Sequence, residues 1–372
     1  MTDERTARMG LAAASNAGDL GLARLVEEQG AVEIWDHLRS GQGRTQLAAR
    51  AAGIDLDALV HQTRAVGARF LIPGDEQWPA QVQDLAWSEP VGSVGGGAPL
   101  GLWVAGPADP ACLAQGVSIV GSRASTAYGE HVCADWAAGI AQKGRPVVSG
   151  GAYGIDACAH RGALAEHGIT VAVMAGGLGQ LYPPGNSSLL QKVRETGAVI
   201  SEYPPSCPPS RPRFLVRNRL IAALSAATVI VEGAVRSGAQ NTVSWALSLQ
   251  RPVIAVPGPV TSAMSVTPHR LIRNGEAILA TTAEEVLDVI EPMGCPAPGC
   301  QAAPPTLFDD LTSEQKKIHD ALPARRAVCV DELSALTGES ALSVLVALAQ
   351  LKHLGLASES TSGMWKLQPH AL

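Results

Sequence analysis

At 372 residues, 46% of them apolar, the chain is long enough for two or three domains and can fill a sizeable core. Seven Cys, scattered and odd in number, exclude a disulfide framework, and the pair Cys295/Cys300 has no further ligands nearby to make a zinc site. The formal net charge of −6 advertises no nucleic acid, but the charge is unevenly laid out.

Residues 1–70 read as short amphipathic helices broken by Gly: GLARLVEEQG, AVEIWDHLRSG, RTQLAARAAG and DLDALVHQTRAVG. The start, MTDERTARMG, is charged, and no apolar run follows that would make a signal peptide. No stretch of about 18 apolar residues occurs anywhere, so a cytoplasmic protein with no membrane span is expected. A Gly- and Pro-rich passage runs from Ile72 to about Gly116.

From Val117 to about Ile290 short β-branched runs recur: VSIVG (117–121), PVVSG (146–150), ITVAVMAGG (169–177), AVISEY (198–203), ATVIVEG (227–233), PVIAVPG (252–258) and AILA (277–280). Helical stretches such as 128–142, 155–167 and 238–250 separate most of them. This alternation predicts an α/β domain, a Rossmann-like doubly wound and mostly parallel sheet with helices on both faces. The expected divisions are 1–70, 71–291, a Pro-rich linker 292–308, and 309–372. That last part reads as three helices and a small hairpin, the outline of a winged helix. Its third helix, SALSVLVALAQLKHLG, is too apolar to suit duplex reading.

In a parallel sheet every strand exits at one edge, where ligands bind at the switch in strand order. The exits here are rich in Gly: Gly121-Ser122-Arg123, Ser149-Gly150-Gly151, Gly176-Gly177-Leu178-Gly179, Glu232-Gly233 and Pro257-Gly258. Such turns let a ligand approach the backbone, and helix N-termini behind them offer N–H groups to an anion. No dinucleotide fingerprint, P-loop or nucleophile elbow is present. Asp156 and His160 lie four apart on one helix, but Asp156 is more simply a first-turn acid favoured by the helix dipole. Glu232, beside Arg236, is either a hydrogen-bond anchor or a general acid. With no nucleophile–base constellation, the edge reads as one that binds rather than cuts, without cofactor or metal.

Between Tyr203 and Gly275 stand eight Arg, no Lys and one acid, whereas Phe70–Ser122 holds five acids and no basic residue. Within the basic stretch, Arg211, Arg213, Arg217 and Arg219 surround Phe214, one of three Phe in the chain. Residues 204–212 read as a loop, with a helix from about Val216. Guanidinium groups fork onto phosphates, and an aromatic among them offers a base a stacking surface. Single-stranded nucleic acid is the ligand class this favours.

GSRAS (121–125), SGGAYGIDACAH (149–160), YPPGN (182–186), SEYPP (201–205), FLVRNRLIAALS (214–225), VEGAVRSGA (231–239), VPG (256–258) and HRLIRNG (269–275) together resemble the DNA-processing protein A family (DprA, also called Smf) in order and spacing. The resemblance implies a homodimer formed through the Rossmann-like domain. It also implies that the protein binds and protects single-stranded DNA and helps load the RecA recombinase in transformation and recombination. A helical N-terminal domain (SAM or helix-hairpin-helix-like) and a winged-helix-like C-terminal domain match longer members.

Carried over, Gly121, Ser122 and Arg123 form the GSR turn with its phosphate contacts. Ser149, Gly150, Gly154, Ile155 and Asp156 form the SG-x-A-x-GID turn, and Phe214, Arg217, Asn218 and Arg219 the F-x-x-RNR block. Ser237 and Gly238 form the SGA turn. Arg211 and Arg270 complete the expected DNA contacts. Gly151, Tyr153, Leu215, Gln240, Asn241 and His269 depart from the family pattern. Two other readings stay open: a nucleoside-monophosphate phosphoribohydrolase-like enzyme, whose PGG-x-GT-x-x-E signature is absent, and a winged-helix regulator of duplex DNA.

Overall fold

The computed structural model describes residues 2–40, 45–92, 95–234, 237–291, 311–324, 326–360 and 363–368. The chain divides into two compact units, Met1–Met293 and Gly294–Leu372. The linker 292–308, with Cys295 and Cys300, lies outside the described residues, as does Arg236.

The first unit opens with helices α1 (Glu4–Ala14), α2 (Leu20–Gln29), α3 (Ala31–Arg39), α4 (Gln46–Ala52) and α5 (Leu56–Ala65). Asp3, Asp19, Thr45 and Asp55 cap α1, α2, α4 and α5 by accepting a backbone N–H three residues on. Trp35, Leu11 and Ile34 centre an apolar cluster shared by α1 to α4. Helix α1 is an addition to the four helices expected. Its buried positions are mostly Ala, Met and Gly, which make a weak apolar stripe.

A nine-stranded sheet follows. Strand β1 (Ala68–Leu71) pairs antiparallel with β2 (Leu102–Ala105), and β2 pairs antiparallel with β6 (Ala198–Ser201). The remaining strands are β3 (Val117–Val120), β4 (Val147–Ser149), β5 (Thr170–Val173), β7 (Ala227–Ile230), β8 (Val253–Ala255) and β9 (Ile278–Leu279). The order is β1-β2-β6-β5-β4-β3-β7-β8-β9, parallel from β6 to β9. The chain thus builds outward from β3 to β6 and then crosses back to continue from β7 to β9. The switch in strand order lies between β3 and β7.

Strands β3 to β8 are buried along their whole length and read as continuous apolar runs because helices cover both faces. One face carries α6 (Ala127–Gln142), α7 (Ile155–Ala165), α8 (Ser187–Thr196) and α12 (Ala283–Ile290). The other carries α9 (Arg211–Ala223), α10 (Gly238–Ser248) and α11 (Val266–Arg273). Helix α9 begins at Arg211 rather than near Val216, because Pro212 sits in its first turn, where its missing N–H costs nothing. Arg211, Arg213 and Phe214 therefore belong to a helix, not to a loop.

The second unit holds α13 (Ser313–Ala321), α14 (Val330–Thr337), α15 (Ala341–His353) and an antiparallel hairpin of β10 (Ala357–Glu359) and β11 (Trp365–Leu367). Leu348, Leu351 and Trp365 sit in its core, while Leu342, Leu345 and Val346 of α15 face solvent. Among the described residues no single helix is long and apolar enough to cross a membrane.

Candidate nucleic-acid interface

A cleft of about 460 Å³ opens at the carboxyl ends of β3 and β7, where the strand order switches. One wall is the turn Gly121-Ser122-Arg123, and the floor is the first half of α9 with Phe214, Arg217 and Asn218. Ser237 and Gly238, at the start of α10, close the far side.

Most of the glycines at this edge serve the chain rather than a ligand. Gly154 has φ +72°, a region that favours Gly, and any Cβ there would overlap the Ser122 carbonyl. Ile155 N–H, the first donor of α7, already bonds Ser122 O at 3.2 Å, and its side chain is core. A Cβ on Gly150 would overlap the Arg217 guanidinium, and one on Gly177 the Pro204 carbonyl. Gly238 is different: a Cβ there would meet nothing within 4 Å among the described residues. Close loop packing, not ligand access, explains the run of glycines.

Arg217 is 4% exposed at the cleft floor. Its Nη1 donates to Val173 O at 2.7 Å, while Nε has no partner among the described residues. Burial pulls its pKa down to about 10, opposed by the nearby Asp156 carboxylate. Burial raises the Asp156 carboxyl in turn, against the pull of Arg217. Asp156 stands in the first turn of α7, as expected, but it is buried, accepts Ala152 N–H at 3.3 Å and is also a counter-charge to Arg217. It makes no pair with His160, whose Nδ1 lies 2.8 Å from Thr170 Oγ1.

Phe214 is half-buried, and two cations lie over its ring. The Arg123 guanidinium lies 5.1 Å and that of Arg217 5.8 Å from its ring centroid. Tyr182, within YPPGN and not among the expected contacts, stands 5.9 Å from the same ring. Arg123 is exposed, and Arg211 is exposed at the start of α9. Asn218 Nδ2 donates to Gly238 O at 3.3 Å and to Asn241 Oδ1 at 3.2 Å, tying α9 to the head of α10. One partner is thus a residue that departs from the family pattern. Ser237 Oγ is buried without a partner among the described residues. Ser122 Oγ accepts Ala124 N–H at 3.1 Å.

Seven of the expected contacts, Ser149, Gly150, Gly154, Ile155, Arg211, Arg219 and Arg270, do not line the cleft. Arg219 is fully buried and pairs with Glu202 at 2.6 Å, because successive helix positions point about 100° apart and Arg217 takes the cleft side. Ser149 is fully buried, its Oγ donating to Ile119 O at 2.6 Å. Arg270, half-exposed on α11, pairs with Glu276 at 3.6 Å and does not line the cleft. Glu232 resolves as the hydrogen-bond anchor. Its carboxylate accepts Thr126 N–H at 2.9 Å and Thr126 Oγ1–H at 2.5 Å, fixing the loop that carries Arg123. Among the described residues no group of three metal-ligating side chains occurs. Cations, a partly exposed aromatic ring and a helix head suit an anionic ligand that carries flat bases.

Comparison with known proteins agrees with this architecture. Residues 69–291 match the model of the family described as DNA recombination-mediator protein A. A Mycobacterium tuberculosis protein named putative DNA processing protein DprA is 43% identical over 360 residues, 93% of this chain and 90% of that protein. Protein Smf of Escherichia coli is 40% identical over 176 residues, 47% of each chain. The structure of DNA processing protein A from Streptococcus pneumoniae superposes with a TM-score of 0.65 at 28% identity, covering 78% of this chain and 99% of that one. The Helicobacter pylori protein, whose structure was described for its single-stranded DNA binding mode, superposes with a TM-score of 0.51 at 25% identity, covering 59% and 94%. From the sheet that builds the cleft to the matched residues, this chain belongs to the DNA recombination-mediator protein A (DprA/Smf) family.

Proposed function

We propose that the chain binds single-stranded DNA in the cleft between β3 and β7 and serves as a cytoplasmic, non-enzymatic mediator that loads the RecA recombinase on the strand. The observation that carries the reading is the Phe214 ring in the cleft with the Arg123 and Arg217 guanidinium groups beside it, an aromatic for a base to stack on next to groups for its phosphates. The contact set is Gly121, Ser122, Arg123, Phe214, Arg217, Asn218, Ser237 and Gly238, with Arg211 exposed at the head of α9 and Gly150, Gly154 and Asp156 packed behind the cleft. Homodimerisation through the Rossmann-like unit and a winged-helix role for the second unit belong to the same reading, on family resemblance. The binding described for the Helicobacter pylori relative supports the choice of ligand.

The test is fluorescence anisotropy with a labelled poly-dT oligomer, a matching duplex and free nucleotides. If Arg123, Arg211 and Arg217 neutralise about three phosphates, log K falls with log salt at a slope of about −2. A flat salt response, or equal affinity for duplex, overturns the site.

Arg123→Ala is expected to weaken binding on every sequence and to make that slope shallower by about 0.7, because a phosphate contact carries no base information. Phe214→Ala is expected to lose about 1–3 kcal/mol of stacking with little change in slope. Unchanged affinity in a folded Phe214→Ala protein would assign this ring to packing. Arg217→Ala is a poorer probe, since it also strips Asp156 of its buried counter-charge.

A further inference from the structure

We propose that the bound strand leaves the cleft across two further aromatic surfaces, Tyr182 and Tyr153, which extend the site by stacking on unpaired bases. The inference rests on the single-strand reading above and names the route the strand takes. Tyr153, Tyr182 and Phe214 follow three successive strands, β4, β5 and β6, at the same edge of the sheet. Tyr182 is 41% and Tyr153 49% exposed, so each ring keeps a large part of its surface in water. Tyr182 packs against Phe214 with the rings tilted by 56°. Tyr153 lies on the backbone of Gly185, where a Cβ would come within 2.6 Å of its hydroxyl.

The two tyrosine-bearing loops are tied together. Asn186 Nδ2 donates to Gly151 O at 3.1 Å and to Ala152 O at 3.0 Å, and Asn186 itself is buried. The rings are therefore presented on a fixed surface, which limits the entropy lost when a base stacks on them.

Singly exposed apolar side chains are ordinary and carry nothing. Here three rings are linked through shared loops, and the loops 150–154, 174–186 and 203–210 contain no Asp or Glu to repel a polyanion. They contain no Lys or Arg either. Arg213, nearby on α9, is engaged by the Pro208 carbonyl and lies 5.1 Å over the Tyr203 ring. The track is apolar and uncharged, so its contribution is stacking on bases of any sequence rather than phosphate neutralisation. Bases inside a duplex are stacked on one another and gain nothing from it.

The test uses the full chain with poly-dT oligomers of about 5 and about 15 nucleotides, the shorter filling the cleft and the longer running beyond it. In the wild type the longer oligomer binds more tightly at nearly the same salt slope. Tyr153→Ala/Tyr182→Ala removes that gain, roughly 5- to 150-fold per ring, and costs the short oligomer much less, the part lost there reflecting the Tyr182 support of Phe214. Tyr153→Phe/Tyr182→Phe retains it. A 2-aminopurine base in the outer half of the long oligomer is quenched by the wild type and the Phe variant but not by the Ala variant. Equal losses on both lengths, no loss on either, or a length gain that steepens with the salt slope would overturn the track while leaving the cleft standing. A wild type that binds neither oligomer would overturn both readings.

Discussion

Arg219→Ala is expected to cost about 3–5 kcal/mol of unfolding free energy, among the largest single losses in the protein. Arg219 is fully buried and its Nη2 lies 2.6 Å from Glu202 Oε1, with Glu202 only 5% exposed. Burial pushes the Glu202 carboxyl up, and the guanidinium holds it in check. Removing the cation leaves a carboxylate in an apolar surrounding, where it must either take up a proton or stay uncompensated. The pair is not efficient in itself, since Arg219 Nε and Nη1 and Glu202 Oε2 have no partners among the described residues. Replacing both, as Arg219→Met with Glu202→Leu, should therefore recover most of the single-mutant loss. Urea unfolding of the three variants measures this, and a double variant as unstable as the single would refute the account. The same double variant separates stability from binding. Because Arg219 is outside the cleft, its affinity for poly-dT should stay within about 3-fold of wild type. A loss beyond 10-fold in a stable double variant would return Arg219 to the contact set.

Below about pH 6.5 the protein should lose about 1.4 kcal/mol of stability per pH unit on account of one side chain, His160. The imidazole is fully buried between α7 and β5, and burial, with the Arg217 charge adding to it, lowers its pKa from 6.5 to about 3. Thr170 Oγ1 donates to Val147 O, so it accepts from His160 Nδ1–H, which leaves Nε2 without a partner among the described residues. The folded chain therefore holds the ring neutral, while the unfolded chain protonates it between pH 6.5 and 3. Across that window the unfolded state binds the extra proton, so stability is full above pH 6.5 and falls as pH drops. The raised carboxyls of Asp156 and Glu202 act with the opposite sign, taking up protons in the folded state at higher pH than when unfolded. A comparison of wild type with His160→Gln at pH 7 and pH 5 isolates the His160 share. The variant should show about 2 kcal/mol less loss between the two values, and parallel losses would refute the assignment.

Strands β3 to β8 were legible because each is a short, mostly β-branched run with Gly or Pro close by, and burial on both faces removes any need for alternation; the exposed edge strand β9 was read from the short apolar run AILA alone. The same signal failed for β1 and β2. Ala68–Leu71 follows helical segments without a break, and Leu102–Ala105 sits among glycines. Their antiparallel pairing depends on an open edge at β6, which local composition does not encode.

The basic stretch pointed to the helix that floors the cleft but could not distinguish its arginines. Arg217 and Arg219 are two apart in RNR and of identical chemistry, yet one floors the cleft and the other is locked in the core with Glu202. The difference is the helix phase of about 200° over two residues, together with what the fold packs against each side. Gly-rich exits were readable as a ligand edge from topology, and the cleft is there, but the space most of those glycines leave is filled by Arg217, Ser122 and the Pro204–Pro209 loop. A sequence records that a position must be small. Whether a ligand or another part of the chain occupies the vacated volume is settled by long-range packing, which brings residues over 60 positions apart, such as Gly150 and Arg217, into contact.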